Sequence, residues 1–593
     1  MAMFTYFGTD ENDQLVGTFS ISGAVDIDLN DQSGWMVEAY GYGGNDTFVG
    51  TVGNDQLFGQ EGDDYLHGGN GTGTDALAGG AGADTLDGGG GSDWAYYIKS
   101  GSGVSVSLAT GSGTGGEAEG DTLISIENLF GSQHGDTLVG NNDANQLDGR
   151  GGNDTLKGGG GADTLYGDGR ADDAGNDTLK GGGGADILYG GFGIDTAAYN
   201  ESPVGVIVSL STGVANFGDA AGDFFDSIEN LTGSAHNDWL VGNDPSAGGP
   251  DPWHGGNVLR GLDGNDDLLG LGGNDSLWGG NGHDELYGHS GIDTLRGEAG
   301  NDYLDGGPDY DTMVGGWGND IYIVDNFGDV VTEFAGQGID TVRTSASWAI
   351  TAGADIETLR TTDDNGLAGL YLGGNASGNQ IIGNNGDNFI DGHLGVDQMT
   401  GRGGDDVYFV DNAGDSVMES GGQGLDEVRT SVSWTLTAGA DVETVRTTNA
   451  AGLGAINLTG NETGNVVTGN AGSNAINGGN GNDELVGLGG HDYFAFTTPL
   501  NAASNVDLLS DFSVADDTIL LENTIFGAFA AGGLAAERFV VGAAAQDASD
   551  NIIYNSSTGA LFYDSDGIGA SAAVQFAAVT PGLALTHLDF IVV

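Results

Sequence analysis

Residues 261–323 read GLDGNDDLL, GLGGNDSLW, GGNGHDELY, GHSGIDTLR, GEAGNDYLD, GGPDYDTMV and GGWGNDIYI. Each nine-residue unit follows G-G-x-G-x-D-x-U-x, where U is a large apolar residue. The glycines allow a tight turn with positive φ. An aspartate holds a fixed place in that turn, and two residues later an apolar side chain enters a short strand. One unit cannot bury its own apolar face, so copies must stack. Two consecutive units make one coil, with a strand on each side of a thin core. Turns eighteen residues apart then lie one strand spacing from each other, ~4.8 Å. Leu268, Leu277, Leu286 and Leu295 are the expected core residues. The fold class that follows is all-β, a parallel β-roll or β-helix solenoid.

The unit recurs in blocks along the chain, each with its sixth-position aspartate as a candidate calcium ligand. The first block supplies Asp46, Asp55, Asp64, Asp75, Asp84 and Asp93, and the second Asp136, Asp154, Asp163, Asp177, Asp186 and Asp195. The third supplies Asp238, Asp266, Asp275, Asp284, Asp293, Asp302, Asp311 and Asp320. Two short blocks add Asp397 and Asp406, then Asp483 and Asp492, and Asp13 lies in an isolated copy. Spacing of nine in constant phase argues against a merely solvated acidic surface. Asparagine takes the same place at Asn145, Asn257, Asn379, Asn388, Asn465 and Asn474, mostly at the upstream ends of blocks. It caps a turn without adding charge, so these turns are expected to bind calcium weakly or not at all.

Two kinds of spacer separate the blocks, each present twice. Residues 97–131 match 199–233, and 321–383 match 407–469 at an offset of 86. Alternating apolar residues such as Val104, Val106 and Leu108 mark them as short strands, expected to continue the solenoid as metal-free coils. The resulting organisation is an N-terminal cap (1–40), repeat block one (41–96), a β spacer (97–130), block two (131–198) and a spacer (199–232). Block three (233–323), a spacer (324–373), block four (374–409), a spacer (410–459) and block five (460–496) follow, and 497–593 form a C-terminal β cap. Insertions at 168–174 and 245–254 are expected to be surface loops.

With 13 basic against 87 acidic residues the formal charge is −74, which excludes nucleic acid as a natural partner. A chain so acidic, with 117 glycines, needs its charge neutralised in order to fold. Hard carboxylate and carbonyl oxygens suit calcium, and the absence of cysteine rules out disulfides and thiolate sites. An ion between stacked turns gathers oxygen ligands from both. A site of ~0.1 mM affinity in ~1 mM calcium contributes about 1.4 kcal/mol by linkage. On the order of 15 to 20 such ions would contribute roughly 20 kcal/mol, more than the usual stability of a domain. Folding is therefore expected outside the cell and not at cytosolic calcium. No apolar run is long enough to span a bilayer, and the start, MAMFTYFGTDENDQLVG, lacks the pattern of a cleavable signal peptide.

The nonapeptide blocks resemble the RTX (repeats-in-toxin) family of calcium-binding repeats. That resemblance implies calcium as cofactor and export of an unfolded chain from a Gram-negative bacterium by type I secretion machinery, to the cell surface or medium. It also implies an uncleaved C-terminal signal, which the tail from Asp589 to Val593 looks like. Enzymes of the family carry a catalytic domain ahead of the repeats; only about 40 residues precede the first block here, and neither H-E-x-x-H nor G-x-S-x-G occurs. The expectation is a non-enzymatic structural protein that self-associates through calcium into a surface layer, filament or biofilm matrix. A calcium-dependent adhesin binding a cell-surface polysaccharide is the alternative, and a solenoid lyase or epimerase the third reading.

His283 and His289 occupy variable turn positions, where solvent exposure is the default over a zinc site. Glu127 and Glu229 recur in S-I-E-N segments, and a structural role outweighs a catalytic pair. Arg343, Arg360, Arg429 and Arg446 match across the 86-residue duplication. They are expected either to pair internally with Asp355, Glu357, Asp441 and Glu443 or to dock an acidic neighbour. Trp348 and Trp434 are expected in the core, with a sugar-stacking face as the other option.

Overall fold

The computed structural model describes residues 38–169, 173–244 and 255–593, and before them only the backbone of the strands Met3–Phe7, Gln14–Val16, Thr18–Ser20, Asp26–Asp28 and the start of Met36–Gly43. The isolated copy at Asp13 and the 245–254 insertion lie outside the described residues. The chain divides into two compact units, Met1–Asp320 and Ile321–Val593. Among the described residues there are strands and short 3-10 turns but no α-helix, and none therefore long and apolar enough to cross a membrane.

In the first unit strands alternate between two facing parallel sheets. Val258–Asp263, Ser276–Asn281, Thr294–Ala299 and Thr312–Trp317 run side by side in one. Trp239–Val241, Asp267–Gly272, Glu285–Ser290 and Tyr303–Asp305 form the other. Register follows the nonapeptide. Leu268 pairs with Leu286 and then Leu304, while Leu277 pairs with Leu295 and then Met313. All of these are fully buried. Side chains alternate sides along a strand, so each apolar eighth-position residue points inward and its neighbours point out. At roughly 25 cal/mol per Å², so thin a core buries little per coil.

The spacers take part in the same sheets. Thr122–Ile124 pairs with Thr85–Asp87, and Asn128–Phe130 with Trp94–Tyr96. They are not coils throughout, because Ser105–Ser107 and Ser112–Thr114 form an antiparallel hairpin, closed by the turn 108–111 and followed by the 3-10 turn Gly116–Ala118. The second copy repeats it with Ile207–Ser209 and Val214–Asn216.

In the second unit Gln380–Ile382 and Gln398–Thr400 stack on one face, and Phe389–Asp391, Val407–Val410, Glu427–Thr430 and Thr444–Thr447 on the other. Trp348 and Trp434 are buried, and their indole N–H groups donate to the carbonyls of Asp329 and Asp415 at 3.0 and 2.9 Å. They are core residues, with no face left for a sugar. Three of the four arginines, Arg360, Arg429 and Arg446, form ion pairs, but not with the expected partners. Arg360 binds Asp364, and Arg429 and Arg446 both bind Glu427. The expected carboxylates instead accept backbone N–H groups: Asp355 from Gly336, Glu357 from Asp340, Asp441 from Gly422 and Glu443 from Asp426.

Beyond residue 496 antiparallel pairs join the parallel ones. Asp507–Leu509 still stacks in parallel on Glu484–Val486, whereas Ile552–Asn555, Ala560–Tyr563 and Val574–Val579 form an antiparallel meander. Phe496, Phe526, Tyr563 and Phe576 meet edge to face beneath it. A coil end is an unpaired sheet edge, and this meander covers one.

Candidate metal centres

The turn holds each sixth-position aspartate inward, against the neighbouring coils. Every aspartate given above as a calcium ligand in the five blocks is buried, none more than 4% exposed. One carboxylate oxygen has a backbone role: it accepts the N–H of the residue at the same turn position one coil earlier. Asp266 donates to Asp284 Oδ1 and Asp284 to Asp302 Oδ1, both at 2.9 Å, and Asp302 to Asp320 Oδ1 at 2.8 Å. On the opposite edge Asp275 donates to Asp293 and Asp293 to Asp311, at 2.7 and 2.8 Å. The rung survives the 168–174 insertion, since Asp154 still reaches Asp177 at 2.8 Å.

The second oxygen differs. In Asp154, Asp163, Asp266, Asp275, Asp284 and Asp302, among others, Oδ2 is buried and accepts no hydrogen bond. It faces another acceptor: where a Cβ on Gly261 would stand, Asp266 Oδ2 and the Gly279 carbonyl oxygen lie 2.1 and 2.6 Å away. Gly297 repeats this with Asp302 Oδ2 and Gly315 O, at 2.3 and 2.7 Å. A buried carboxylate oxygen beside a carbonyl oxygen is costly unless a cation joins them. Burial pushes the carboxyl of Asp154 up to about 9 and those of Asp195 and Asp266 to about 8; the ladder N–H pulls each down and neighbouring carboxylates push it up again. Carboxylate and carbonyl oxygens from adjacent coils are the hard donor set calcium takes, and the residues fit that ion. Bound there, it supplies charge neutralisation and a cross-link between coils.

Some turns are closed by hydrogen bonds alone. Asn145 accepts from the Asn141 N–H at 2.7 Å and donates its amide to the Glu127 carbonyl at 2.8 Å. Asn474 does the same with Asn470 and Ile456. The amide places a donor where aspartate leaves two acceptors facing each other. Three predicted ligands share part of this pattern: Oδ2 of Asp55, Asp136 and Asp238 accepts the N–H of Thr51, Ser132 and Ser234, each at 2.5 Å. In the spacers a tyrosine serves instead, Tyr97 donating to Asp121 Oδ2 and Tyr199 to Asp223 Oδ2, at 3.1 and 2.9 Å.

This contrast yields a prediction. Asp266→Asn keeps an acceptor for the Asp238 N–H, now at 2.8 Å, and is expected to lower the number of bound calcium ions while the fold persists. Asp266→Ala leaves that N–H unsatisfied and is expected to cost a further ~1–3 kcal/mol. Ion counting by calorimetry and the calcium midpoint of the circular dichroism signal read both; an Asp266→Asn protein binding as many ions as the parent contradicts the assignment.

The ladder also uses residues that the nonapeptide pattern did not mark. Asp121, Asp223, Asp415 and Asp426 accept the N–H of Asp84, Asp186, Asp397 and Asp406. Asp507 and Asp517 continue it into the C-terminal cap from Asp483 and Asp492. Glu127 and Glu229 end it, accepting from Asp93 and Asp195 at 2.9 and 2.8 Å, which is a structural role. The signal was present as an aspartate with an apolar residue two positions on, as in GDTL around Asp121 or GLDEV around Asp426. His283 is exposed in a turn and His289 is exposed near the end of the strand Glu285–Ser290.

A family model described as the RTX calcium-binding nonapeptide repeat (4 copies) matches residues 40–74, 70–96, 130–169, 171–197, 255–286, 287–322, 373–408 and 459–494. No curated protein matches the chain.

Proposed function

We propose that this chain, which belongs to the RTX calcium-binding nonapeptide-repeat family, is a secreted, non-catalytic structural protein that folds in external calcium and then assembles with copies of itself. The observation carrying the calcium step is the row of buried Oδ2 atoms without hydrogen-bond partners. Calcium bound there would lock coil to coil, so the folded form belongs where calcium is millimolar. Members of the family are typically exported by type I secretion, which agrees with a chain that leaves the cell unfolded. The fold and the metal do not choose among roles. Assembly is favoured because the 86-residue duplication sets the same apolar residue outward twice. Leu367 and Leu453 are each 81% exposed, and Ile339 and Leu425 are 65% and 68% exposed. Single exposed leucines are ordinary; a repeated pair at equivalent places suits a repeating contact. A surface layer, filament or matrix is the corresponding role.

Light scattering and electron microscopy of the purified full-length protein in 10 mM calcium test it. Large ordered particles are expected, and Leu367→Ser with Leu453→Ser is expected to reduce them without changing the circular dichroism. A protein that remains monomeric at every calcium concentration overturns the assembly reading and leaves the calcium fold in place.

A further inference from the structure

In the first unit one sheet carries a column of rings on its outward side. Tyr40 is in register with Phe58, Phe58 with Ala78, and Tyr96 with Phe130. The pairing of Ala95 with Leu77 sets Tyr96 beside Ala78. Tyr40 and Phe58 stack at 4.9 Å with planes 11° apart, and Tyr96 and Phe130 at 5.1 Å and 22°. The column thus follows the strand repeat, with one ring per coil, and lacks a ring at Ala78. A groove of about 410 Å³ opens there, floored by Ala78, walled by Phe58 and Tyr96, and rimmed by Gln60, Lys99 and Glu117.

Phe58 and Tyr96 stand on strands two apart, roughly 9.6 Å. A ring placed midway meets each at about 4.8 Å, matching the stacking distances on either side. A pyranose has two C–H faces for such walls and hydroxyls around its edge for amide, carboxylate and ammonium groups. Pockets of this kind combine apolar walls with a few placed polar groups.

The internal duplication supplies a comparison. Residues 97–131 recur as 199–233 at an offset of 102. At the second copy Lys180 replaces Ala78 and Glu201 replaces Lys99, while Lys157 pairs in register with Lys180 as Phe58 does with Ala78. Lys157 and Lys180 both bind Glu201, so the protein's own side chains occupy that place. The first copy has small and aromatic residues where the second has an ion-paired plug.

We propose that the groove between Phe58 and Tyr96 binds one pyranose unit of a neutral glycan, stacked in the column above Ala78 and hydrogen-bonded by Gln60, Lys99 and Glu117. Glu61 and Glu117 outnumber Lys99 on its rim, and the chain's charge of −74 repels polyanions, so a neutral sugar fits better than a uronate. This goes beyond the assembly reading and stands if that reading fails.

Saturation-transfer NMR and calorimetry on the full-length protein in 5 mM calcium, with cello-, laminari-, malto- and mannohexaose as probes, test it. At least one is expected to bind with millimolar or tighter affinity. Ala78→Tyr, which completes the column, is expected to weaken that binding at least tenfold with the calcium midpoint unchanged. If Ala78→Tyr does not fold, Gln60→Ala with Glu117→Ala takes its place, with a severalfold loss expected. Binding of none of the four, preference for oligogalacturonate, or affinity untouched by the substitutions overturns the proposal.

Discussion

Dialysed into calcium-free buffer at pH 8.5, the full-length protein is expected to lose most of its β-sheet circular dichroism and to regain it cooperatively on titration with calcium to millimolar levels. The reason lies in the ladder. The carboxyls of Asp75, Asp154, Asp195, Asp266 and Asp406 are pushed by burial to between about 8 and 9, and those of Asp64, Asp84, Asp275 and Asp302 to about 7. Buried carboxylates left unneutralised oppose folding, and the net stability they act against is only about 5–15 kcal/mol for a domain. The sign with pH follows from linkage. These groups bind protons more tightly folded than unfolded, where their ordinary value is 3.8. Their contribution to the metal-free fold is fully present below that value and is lost as pH rises through the range from about 7 to about 9. Calcium-free protein is thus expected to regain part of its β signal between pH 8.5 and pH 5, and the calcium midpoint to rise over the same interval as protons compete for the ligands. A calcium-free spectrum identical at both pH values, or a midpoint that falls on acidification, contradicts the assignment of these carboxylates.

The second large effect is expected at Gly300, the fourth residue of its unit. Its φ is +153°, and an added Cβ would stand 1.2 Å from the Gly282 carbonyl oxygen and 2.4 Å from its carbon. Backbone occupies that space on the neighbouring coil, so no rotamer relieves the overlap. Gly300→Ala must push the coils apart, against the bond from the Gly300 N–H to Trp317 O at 2.6 Å and the rung from Asp284 to Asp302. A loss of ~3 kcal/mol or more is expected. Because a solenoid is stabilised by nearest-neighbour contacts, the damage should also split one calcium transition into two. Gly183, the third residue of its unit, is the control: no atom lies within 4 Å of its Cβ position and its φ is not left-handed. Gly183→Ala is expected to change stability by less than ~1 kcal/mol. Hydrogen exchange across 276–317 separates the two variants, and equal protection in both rejects the steric argument.

The parts of this protein that could be read from residue order are those settled within nine consecutive residues. The glycines and the aspartate of each unit define one turn, and the apolar eighth residue defines one buried contact; Leu268, Leu277, Leu286 and Leu295 are fully buried as expected. The buried tryptophans were legible for a similar reason, since each sits in an alternating strand pattern. What lay beyond reach depends on which residues a coil of variable length brings together. The two oxygens of one aspartate have different duties, one to a backbone N–H and one facing a carbonyl oxygen, and only the stacking of coils separates them. Asp121 receives the Asp84 N–H across 37 residues because the 97–119 excursion inserts the strands Ser105–Ser107 and Ser112–Thr114 and then returns in register at Thr122–Ile124. Arg360, Arg429 and Arg446 pair with Asp364 and Glu427, while the carboxylates nearest in pattern accept backbone N–H groups. The groove at Ala78 is likewise a product of register, made by rings on strands to either side of a residue that is unremarkable in sequence. Turn chemistry is local and was therefore determined by the sequence alone; cross-coil partners depend on insertion length and on competition for each hydrogen bond, and only the tertiary structure decided them.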